Sequence, residues 1–319
     1  MAATGANRPR IAIVGATGTV GGQIAELLGE HDLDYADLRL FSAEGSADAI
    51  QVGKRALPVE ALVADEALAD RDLVFLAVPS AVADRIAATA KRPLLIDSSW
   101  AMRAPAAVPL AAPGLVSGSR LREMSAAARR IGGPHPAAQV IASVLRALEG
   151  AATFGGATIM LGAASFGNQM ISRLFTQSTD VMNARLALED DEPQIAFNVL
   201  LPPVDLEGAI GAQIEVLLGA RSPLALQAVQ VPAFHGAGVA MLAPPNSQAA
   251  EWAERLRVAP GMIVVEGSEA STLVDGARQE ATVVRITQRD TGATLWAVFD
   301  PSRLAAMTAV WIAETLIAA

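Results

Sequence analysis

Three glycines near the N-terminus have a spacing that suits the binding of a phosphate group. The segment GATGTVGG places Gly15, Gly18 and Gly21 three residues apart, between the apolar run IAIV and a stretch with helical spacing of apolar side chains. Glycines there allow a tight turn, close approach of the backbone to a pyrophosphate, and close packing of a helix whose N-terminus favours an anion. The alternative is a glycine turn that only packs. The predicted dinucleotide contacts are Gly15, Thr17, Gly18, Thr19, Val20 and Gly21.

A carboxylate follows the second predicted strand. In dinucleotide-binding sheets, a residue about 20 positions after the glycines contacts the ribose. Here the strand LRLFS ends at Ser42, and Ala43 and Glu44 follow it. A carboxylate at Glu44 can bond the ribose hydroxyls of NAD and would repel the additional phosphate of NADP. The sequence therefore predicts Ser42 and Glu44 as ribose contacts and favours NAD over NADP. A solvated loop glutamate is the alternative.

The composition excludes several other kinds of chemistry. The 319 residues include no cysteine, which removes disulfides, thiolate metal sites and thiol nucleophiles. With 33 acidic against 24 basic residues the net charge is −9, which argues against nucleic acid or an anionic membrane as a partner. The acidic run at 189–192 lacks an accompanying histidine and is interpreted as a solvated loop. We therefore predict no metal site.

No segment of the sequence is predicted to enter or cross a membrane. The N-terminal residues MAATGANRPR lack the apolar core of a secretory signal. The uncharged stretch 150–172 is interrupted by glycines, Asn168 and Gln169, so a strand followed by a helix start is favoured over a membrane helix. We expect a cytoplasmic protein.

The elements that must position the glycines alternate between strands and helices, which predicts an α/β fold with a doubly wound parallel sheet. The length exceeds the ~250–300 residues at which single cores stop growing, so two domains are expected. The predicted strands of the first domain are 11–15, 38–42, 72–80 and 93–99, and its predicted helices are 20–28 and 81–91.

A second domain is predicted after the glycine- and proline-rich segment GGPHPAA, which must interrupt regular structure. Its pattern indicates an α+β layer with helices on one face of a mixed or antiparallel sheet. The predicted strands are 155–164, 194–199, 229–234, 262–267, 282–287 and 294–299, and the predicted helices are 139–148, 169–188 and 301–319.

The order of these motifs resembles that of the aspartate-semialdehyde dehydrogenase family. After GATGTVGG come FSAEGSA with Gly53-Lys54, IDSSWAMR at 96–103, IAFNVLLPPVD at 195–205 and VQVPAF at 229–234. The resemblance implies a Rossmann domain, 1–132, completed by the C-terminal helix 301–319. It implies an inserted α+β substrate and dimerisation domain, 133–300, and hence a homodimer. Family members reduce aspartyl phosphate with NADPH through a cysteine thioester, and a histidine moves the proton.

The reactive groups of that family are replaced in this sequence. The resemblance places the nucleophilic cysteine at Pro136, which has neither a nucleophile nor an N–H. The histidine base corresponds to Ala237, and His235 lies two residues earlier, a shift of ~6–7 Å along a strand. Neither position can therefore perform the family's reaction.

The groups that bind substrate and cofactor also depart from the family. The substrate-carboxylate arginine corresponds to Gln230, and the acidic substrate contact corresponds to Gln213. Arg103 matches the phosphate-binding arginine of the family. Glu44-Gly45 stands where the family usually carries Arg-Ser for the NADP phosphate. The pattern is similar to that of the Usg proteins, relatives thought to have lost the activity.

We predict no catalytic residue and a non-catalytic homologue that retains the nucleotide-binding fold and the dimer surface. One alternative is an active NAD-dependent oxidoreductase that transfers hydride directly to an aldehyde or oxo group, with His135 or His235 as the acid. Another is a regulatory subunit that binds an active relative. His135 and His235 either form a residual ligand or acid–base site, or they only fill space or face water.

Overall fold

The computed structural model describes residues 8–31, 33–99, 108–149, 153–185, 188, 192–202, 205–222, 224–244, 249–265 and 281–317. The chain divides into two compact units. The first unit is Met1–Pro134 with Ala305–Ala319, and the second unit is His135–Leu304. Among the described helices, none is both long and apolar enough to cross a membrane. Arg103 lies outside the described residues.

The sheet of the first unit has the strand order β3-β4-β2-β1-β5-β6-β7, and all neighbours except β3 and β4 pair in parallel. Without the edge strand β3, this is the 3-2-1-4-5-6 order of doubly wound dinucleotide-binding sheets, which confirms the predicted fold class. The strands are β1 Arg10–Val14, β2 Asp37–Ser42, β3 Ser46–Val52, β4 Arg55–Ala61, β5 Leu73–Leu76, β6 Leu94–Asp97 and β7 Arg130–Gly132.

Helices cover both faces of this sheet, which explains the uninterrupted apolar run in β1. Successive strand side chains point to opposite faces, and both sets are buried here. Ile11 and Ile13 pack in one core cluster, whereas Ala12 and Val14 pack in another. The helices with residues in this unit are α1 Thr19–Glu30, α2 Ser80–Thr89, α3 Gly118–Ala127 and, from Ala305 onward, α8 Pro301–Ile317.

The second unit contains a mixed sheet with the order β11-β12-β13-β10-β8-β9, as predicted for an α+β layer. Its core lies between one face of the sheet and the helices α4, α6 and α7. The strands are β8 Gly156–Leu161, β9 Ala225–Gln230, β10 Ala237–Ala243, β11 Met262–Val265, β12 Thr282–Arg289 and β13 Gly292–Phe299. The helices are α4 Pro136–Ala147, α5 Asn168–Met182, α6 Leu206–Leu218 and α7 Ala249–Arg257.

The predicted strand at 194–199 is wrong. The side chain of Gln177, on α5, accepts hydrogen bonds from the backbone N–H groups of Ile195 and Ala196, which would otherwise serve a strand ladder. Phe197 then adopts a left-handed conformation, with φ of 57°, and reverses the chain. The predicted strand at 229–234 is also displaced, because β9 ends at Gln230, two residues before Pro232, which has no N–H to donate.

Candidate functional site

The candidate site begins at the turn that joins β1 to α1. Gly15 follows the last residue of β1 with φ of 90°, a conformation that side chains rarely tolerate. A Cβ at this position would lie 2.2 Å from the carbonyl oxygen of Ala77. The N–H groups of Gly15 and Ala16 donate to the carbonyl of Phe41, at 2.8 and 3.0 Å, which fixes the turn against β2. The turn is therefore rigid before any ligand arrives.

The other two glycines of the motif have different surroundings. A Cβ at Gly21, in the first turn of α1, would lie 2.1 Å from the carbonyl oxygen of Gly15, so close packing of helix on turn requires glycine there. Gly18 has an ordinary φ of −78°, and the nearest atom to its added Cβ is the Gly15 oxygen, at 3.2 Å. Packing within the protein therefore explains Gly15 and Gly21. The contact at Gly18 is tight but less severe, and the absence of a side chain there also suits the close approach of a ligand.

Gly18 is also the N-cap of α1 and supplies no side chain to the end of the helix. The first N–H groups of a helix lack acceptors within it and favour an anion. The structure brings the six predicted pyrophosphate contacts together in this turn and the first helical turn, with Thr17 exposed and Thr19 and Val20 half-buried. Their role in binding a cofactor stays a prediction.

The predicted ribose contacts lie at the end of the neighbouring strand. Ser42 is the last residue of β2 and is buried, and its hydroxyl has no hydrogen-bond partner among the described residues. Buried polar groups in native proteins are nearly always paired, so an orphan hydroxyl suggests a ligand or water. Glu44 is exposed and precedes Gly45, whose φ of 76° turns the chain into β3. This geometry fits a ribose at the carboxyl edge of β2.

A second group of polar residues at this edge belongs to the motif IDSSWAMR, but the sequence analysis gave its aspartate and serines no role in a site. The hydroxyls of Ser98 and Ser99, directly after β6, also lack partners among the described residues. Asp97, the last residue of β6, is buried and accepts hydrogen bonds from Arg130, from Nε at 2.9 Å and from Nη2 at 2.6 Å. Arg130 also contacts Asp84, at 2.8 Å. The sequence signal was an aspartate ending an otherwise apolar strand.

The residues aligned with the family's nucleophile form the beginning of α4. His135 is the N-cap, and its Nδ1 accepts a hydrogen bond of 3.2 Å from the N–H of Ala137. Pro136 occupies the first helical turn, where its missing N–H costs nothing. Only 2% of His135 is exposed, and burial lowers the pKa of its imidazole to about 4. The ring is therefore neutral at pH 7, and Nδ1 is occupied by the helix.

The residues aligned with the substrate contacts and the base all lie in the second unit, where Gln230 and Ala237 flank Leu161 of β8 at the same level of the sheet. Gln213, on α6, is buried and accepts a hydrogen bond of 2.6 Å from the N–H of His135. Gln230 is buried at the end of β9, and Ala237 is buried at the start of β10. His235 is exposed in the turn between these strands. One histidine is thus a buried helix cap and the other lies at the surface.

The structure offers no metal site within the part of the chain that it describes, where no three His, Cys, Asp or Glu side chains converge. In the acidic run, residues 189–191 fall outside the described ranges. Glu192 forms an ion pair with Arg173, on α5, at 2.8 Å.

Comparison with known proteins gives concordant results for sequence and fold. The family described as "Semialdehyde dehydrogenase, NAD binding domain" matches residues 10–120. A USG-1 protein homolog of Pseudomonas aeruginosa is 32% identical, with 96% of this chain and 97% of that protein covered. A USG-1 protein homolog of Azotobacter vinelandii is 28% identical, again with 96% of this chain and 97% of that protein covered. Aspartate semialdehyde dehydrogenase II from Vibrio cholerae superposes with a TM-score of 0.85 over 98% of this chain and 99% of that one, at 22% identity.

Proposed function

This chain belongs to the semialdehyde dehydrogenase family, and on that premise we propose that it lacks aspartate-semialdehyde dehydrogenase activity but retains a nicotinamide-dinucleotide site and forms a homodimer. One observation carries the proposal. The N-terminus of α4, where the resemblance places the nucleophile, consists of His135 and Pro136, and the polar groups around it complete the helix end.

The family's reaction requires a nucleophile that attacks an acyl phosphate and a base that activates it. Pro136 provides no nucleophile, and the whole sequence contains no cysteine. Ala237 occupies the position of the base and is buried in the sheet. These replacements support a protein that has kept the fold of its relatives without their covalent chemistry.

Direct hydride transfer without a thioester receives less support. His135 would have to act as the acid, yet it is neutral at pH 7 and its Nδ1 accepts the Ala137 N–H. His235 is exposed at the surface. Neither histidine is therefore supported as a general acid that donates a proton to a substrate.

The residues of the β1–α1 turn and the end of β2 fit a dinucleotide. The uncapped N-terminus of α1 at Gly18 suits the pyrophosphate, and the orphan hydroxyl of Ser42 suits a ribose oxygen. Glu44, two residues after Ser42, supports NAD over NADP because it would repel a ribose phosphate. A bound NAD would supply a hydride acceptor, and these residues would hold and orient it.

The exposed part of the second sheet around Leu242, on the face opposite the helices, supports self-association. Leu242 and Trp296 alternate with the buried Met241 and Leu295, so they point away from the face that α4, α6 and α7 cover. Leu242 is 59% exposed on this face, and the half-buried Trp296 lies on the same face. A second copy of this chain would bury the face, as the family resemblance implies.

The activity and the cofactor can be tested on the purified protein. We expect calorimetric titrations with the four nicotinamide dinucleotides to show tighter binding of NAD than of NADP. Glu44→Ser should reduce that preference, whereas Glu66→Ser, at another exposed glutamate of the same unit, should not. We expect no phosphate-dependent reduction of NAD or NADP with aspartate semialdehyde. Turnover above a blank would contradict the loss of activity, and preferred NADP binding would contradict the cofactor assignment.

The dimer is tested by sedimentation equilibrium. The wild-type protein should sediment as a dimer and Leu242→Glu as a folded monomer. Val258, 83% exposed just after α7, provides the control, since Val258→Glu should stay dimeric. A monomeric wild-type protein would refute the dimer.

A further inference from the structure

The first unit contains a cavity that the candidate dinucleotide site does not use. Its volume is about 760 Å³, within the ~300–1,000 Å³ typical of small-molecule sites. Leu33 and Tyr35 give it an apolar portion above the buried side chains of Leu28 and Val52, and Lys54 and Arg55 contribute cationic groups. It therefore combines the two kinds of surface that an amphipathic small molecule needs.

This cavity lies at the opposite edge of the sheet from the glycine turn. The parallel strands run from the amino edge to the carboxyl edge, where Gly18 starts α1. The 12 residues of α1 then return ~18 Å to the amino edge, where Leu28 and Gly29 line the cavity. A ligand bound there would be separated from the dinucleotide by the length of the helix.

The cavity wall is held by backbone packing. Gly53 and Lys54 form a two-residue turn between β3 and β4, closed by the pairing of Val52 with Arg55. Gly53 has φ of 57°, as expected for glycine at the first position of a type II′ turn. A Cβ on Gly29 would lie 2.1 Å from the nitrogen of Gly53, so the end of α1 and the turn are in backbone contact. This contact fixes the position of the Lys54 backbone at the cavity.

The charges lining the cavity are mainly positive in a chain of net charge −9. Arg8 is paired with Asp34 at 2.5 Å, the one acidic group among the described lining residues. The Arg55 guanidinium lies 5.3 Å from the centre of the Tyr35 ring and donates to its hydroxyl, which leaves other N–H groups of the guanidinium for a ligand.

Lys54 differs from the arginines, because its ammonium group has no hydrogen-bond or ion-pair partner among the described residues. It is one of only two lysines in the sequence. The ammonium group of a lysine without a partner attracts phosphate as a compact positive charge. The planar guanidinium of the neighbouring arginine can donate two parallel hydrogen bonds to phosphate oxygens, so the pair suits a phosphate group.

We propose that this cavity binds a small phosphate monoester. Lys54 and Arg55 contact the phosphate, and Leu33 and the ring of Tyr35, which are only half-buried, contact the apolar part of the molecule. The assignment is independent of the dinucleotide site and of the lost activity, since it uses none of their residues.

Phenyl phosphate is a suitable probe, because it joins a phosphate monoester to a flat apolar ring. In calorimetric titrations at low ionic strength, Lys54→Met should weaken binding about tenfold, the loss of roughly one charge-assisted hydrogen bond. Lys54→Arg should retain most of the affinity. Lys91→Met, at the other lysine, and Gly18→Val, at the dinucleotide turn, should bind as the wild type does. Thermal unfolding should show that all four variants fold.

Each contrary result rejects the proposal. Absence of binding to the wild type, or unchanged binding by Lys54→Met, would show that the cavity is not a phosphate site. An equal loss in Lys91→Met would indicate nonspecific attraction, and a loss in Gly18→Val would place the ligand in the dinucleotide site. Inorganic phosphate binding as tightly as phenyl phosphate would exclude a contribution from the apolar portion.

Discussion

Oε1 of Gln213 accepts a hydrogen bond of 2.6 Å from the backbone N–H of His135, a residue 78 positions earlier in the chain. The bond joins the middle of α6 to the N-terminus of α4, at the place where the resemblance locates the chemistry of the family. Both residues are buried. Gln213, which the resemblance aligns with a substrate contact, therefore stabilises the helix end next to Pro136, which it aligns with the nucleophile.

Removal of this acceptor should destabilise the protein. Gln213→Leu would leave the buried N–H of His135 unpaired, and we expect the free energy of unfolding to fall by about 1–3 kcal/mol. Urea unfolding of the wild-type protein and of each variant measures the change in the free energy of unfolding. Gln227→Leu, at an exposed glutamine on β9, should alter stability by less than about 0.5 kcal/mol. Equal effects of the two substitutions would refute the role of the hydrogen bond.

The buried imidazole of His135 should make the protein sensitive to acid. Burial lowers its pKa from 6.5 to about 4, so between these values the unfolded chain binds a proton that the folded chain excludes. The contribution to stability is complete above pH 6.5 and is lost as the pH falls towards 4, by up to about 3 kcal/mol.

This pH dependence can be assigned with two variants. His135→Asn keeps a favourable N-cap and removes the titrating ring, so the decline of stability between pH 6.5 and 4 should become shallower. His235→Asn, at the exposed histidine, should retain the wild-type profile. Identical profiles for His135→Asn and the wild type, measured by denaturant unfolding at each pH, would show that His135 does not cause the decline.

Substitutions at Gly15 and Gly18 should affect different properties: the first mainly the stability of the fold, and the second mainly dinucleotide binding. Gly15→Ala introduces a Cβ at a φ of 90° and 2.2 Å from a carbonyl oxygen, so stability should fall by about 2 kcal/mol or more. The Cβ of Gly18→Val would lie 3.2 Å from the Gly15 carbonyl oxygen, a tight contact but a milder one, so we expect a smaller loss of stability together with weakened dinucleotide binding. Calorimetry and thermal unfolding of both variants would reveal the contrast, and a strongly destabilised Gly18→Val would count against it.

The ion pair of Asp97 and Arg130 should be important for stability. Asp97 is buried, so Arg130→Met would leave its carboxylate without the guanidinium and cost about 3–5 kcal/mol. A second substitution, Asp97→Asn, should recover part of this loss, because it removes the unpaired charge. Arg120→Met breaks an exposed pair with Glu123 and should cost at most about 1 kcal/mol. Chemical denaturation of the four proteins measures these differences.

Much of the first unit was predictable because its signals are local. A strand buried on both faces has a continuous apolar run, as in β1, and a tight turn before a helix requires glycine, as at Gly15. The edge hairpin β3–β4 escaped prediction because its strands are largely exposed and lack a strong hydrophobic pattern. The segment around Phe197 was misassigned because a side chain on another element, Gln177, accepts its backbone hydrogen bonds.

The sequence by itself determined which reactions this protein's side chains cannot perform, because the absence of cysteine is a property of composition. It also indicated the glycine turn, because the spacing of Gly15, Gly18 and Gly21 is local, although the contacts that hold Gly15 come from Phe41 and Ala77. Only the tertiary structure decided what the remaining polar residues do. The partners of His135, Gln213 and the serine hydroxyls are set by distance and burial, and these arise when distant segments pack together. The same packing formed the cavity beside Lys54 from the end of α1 and the β3–β4 turn.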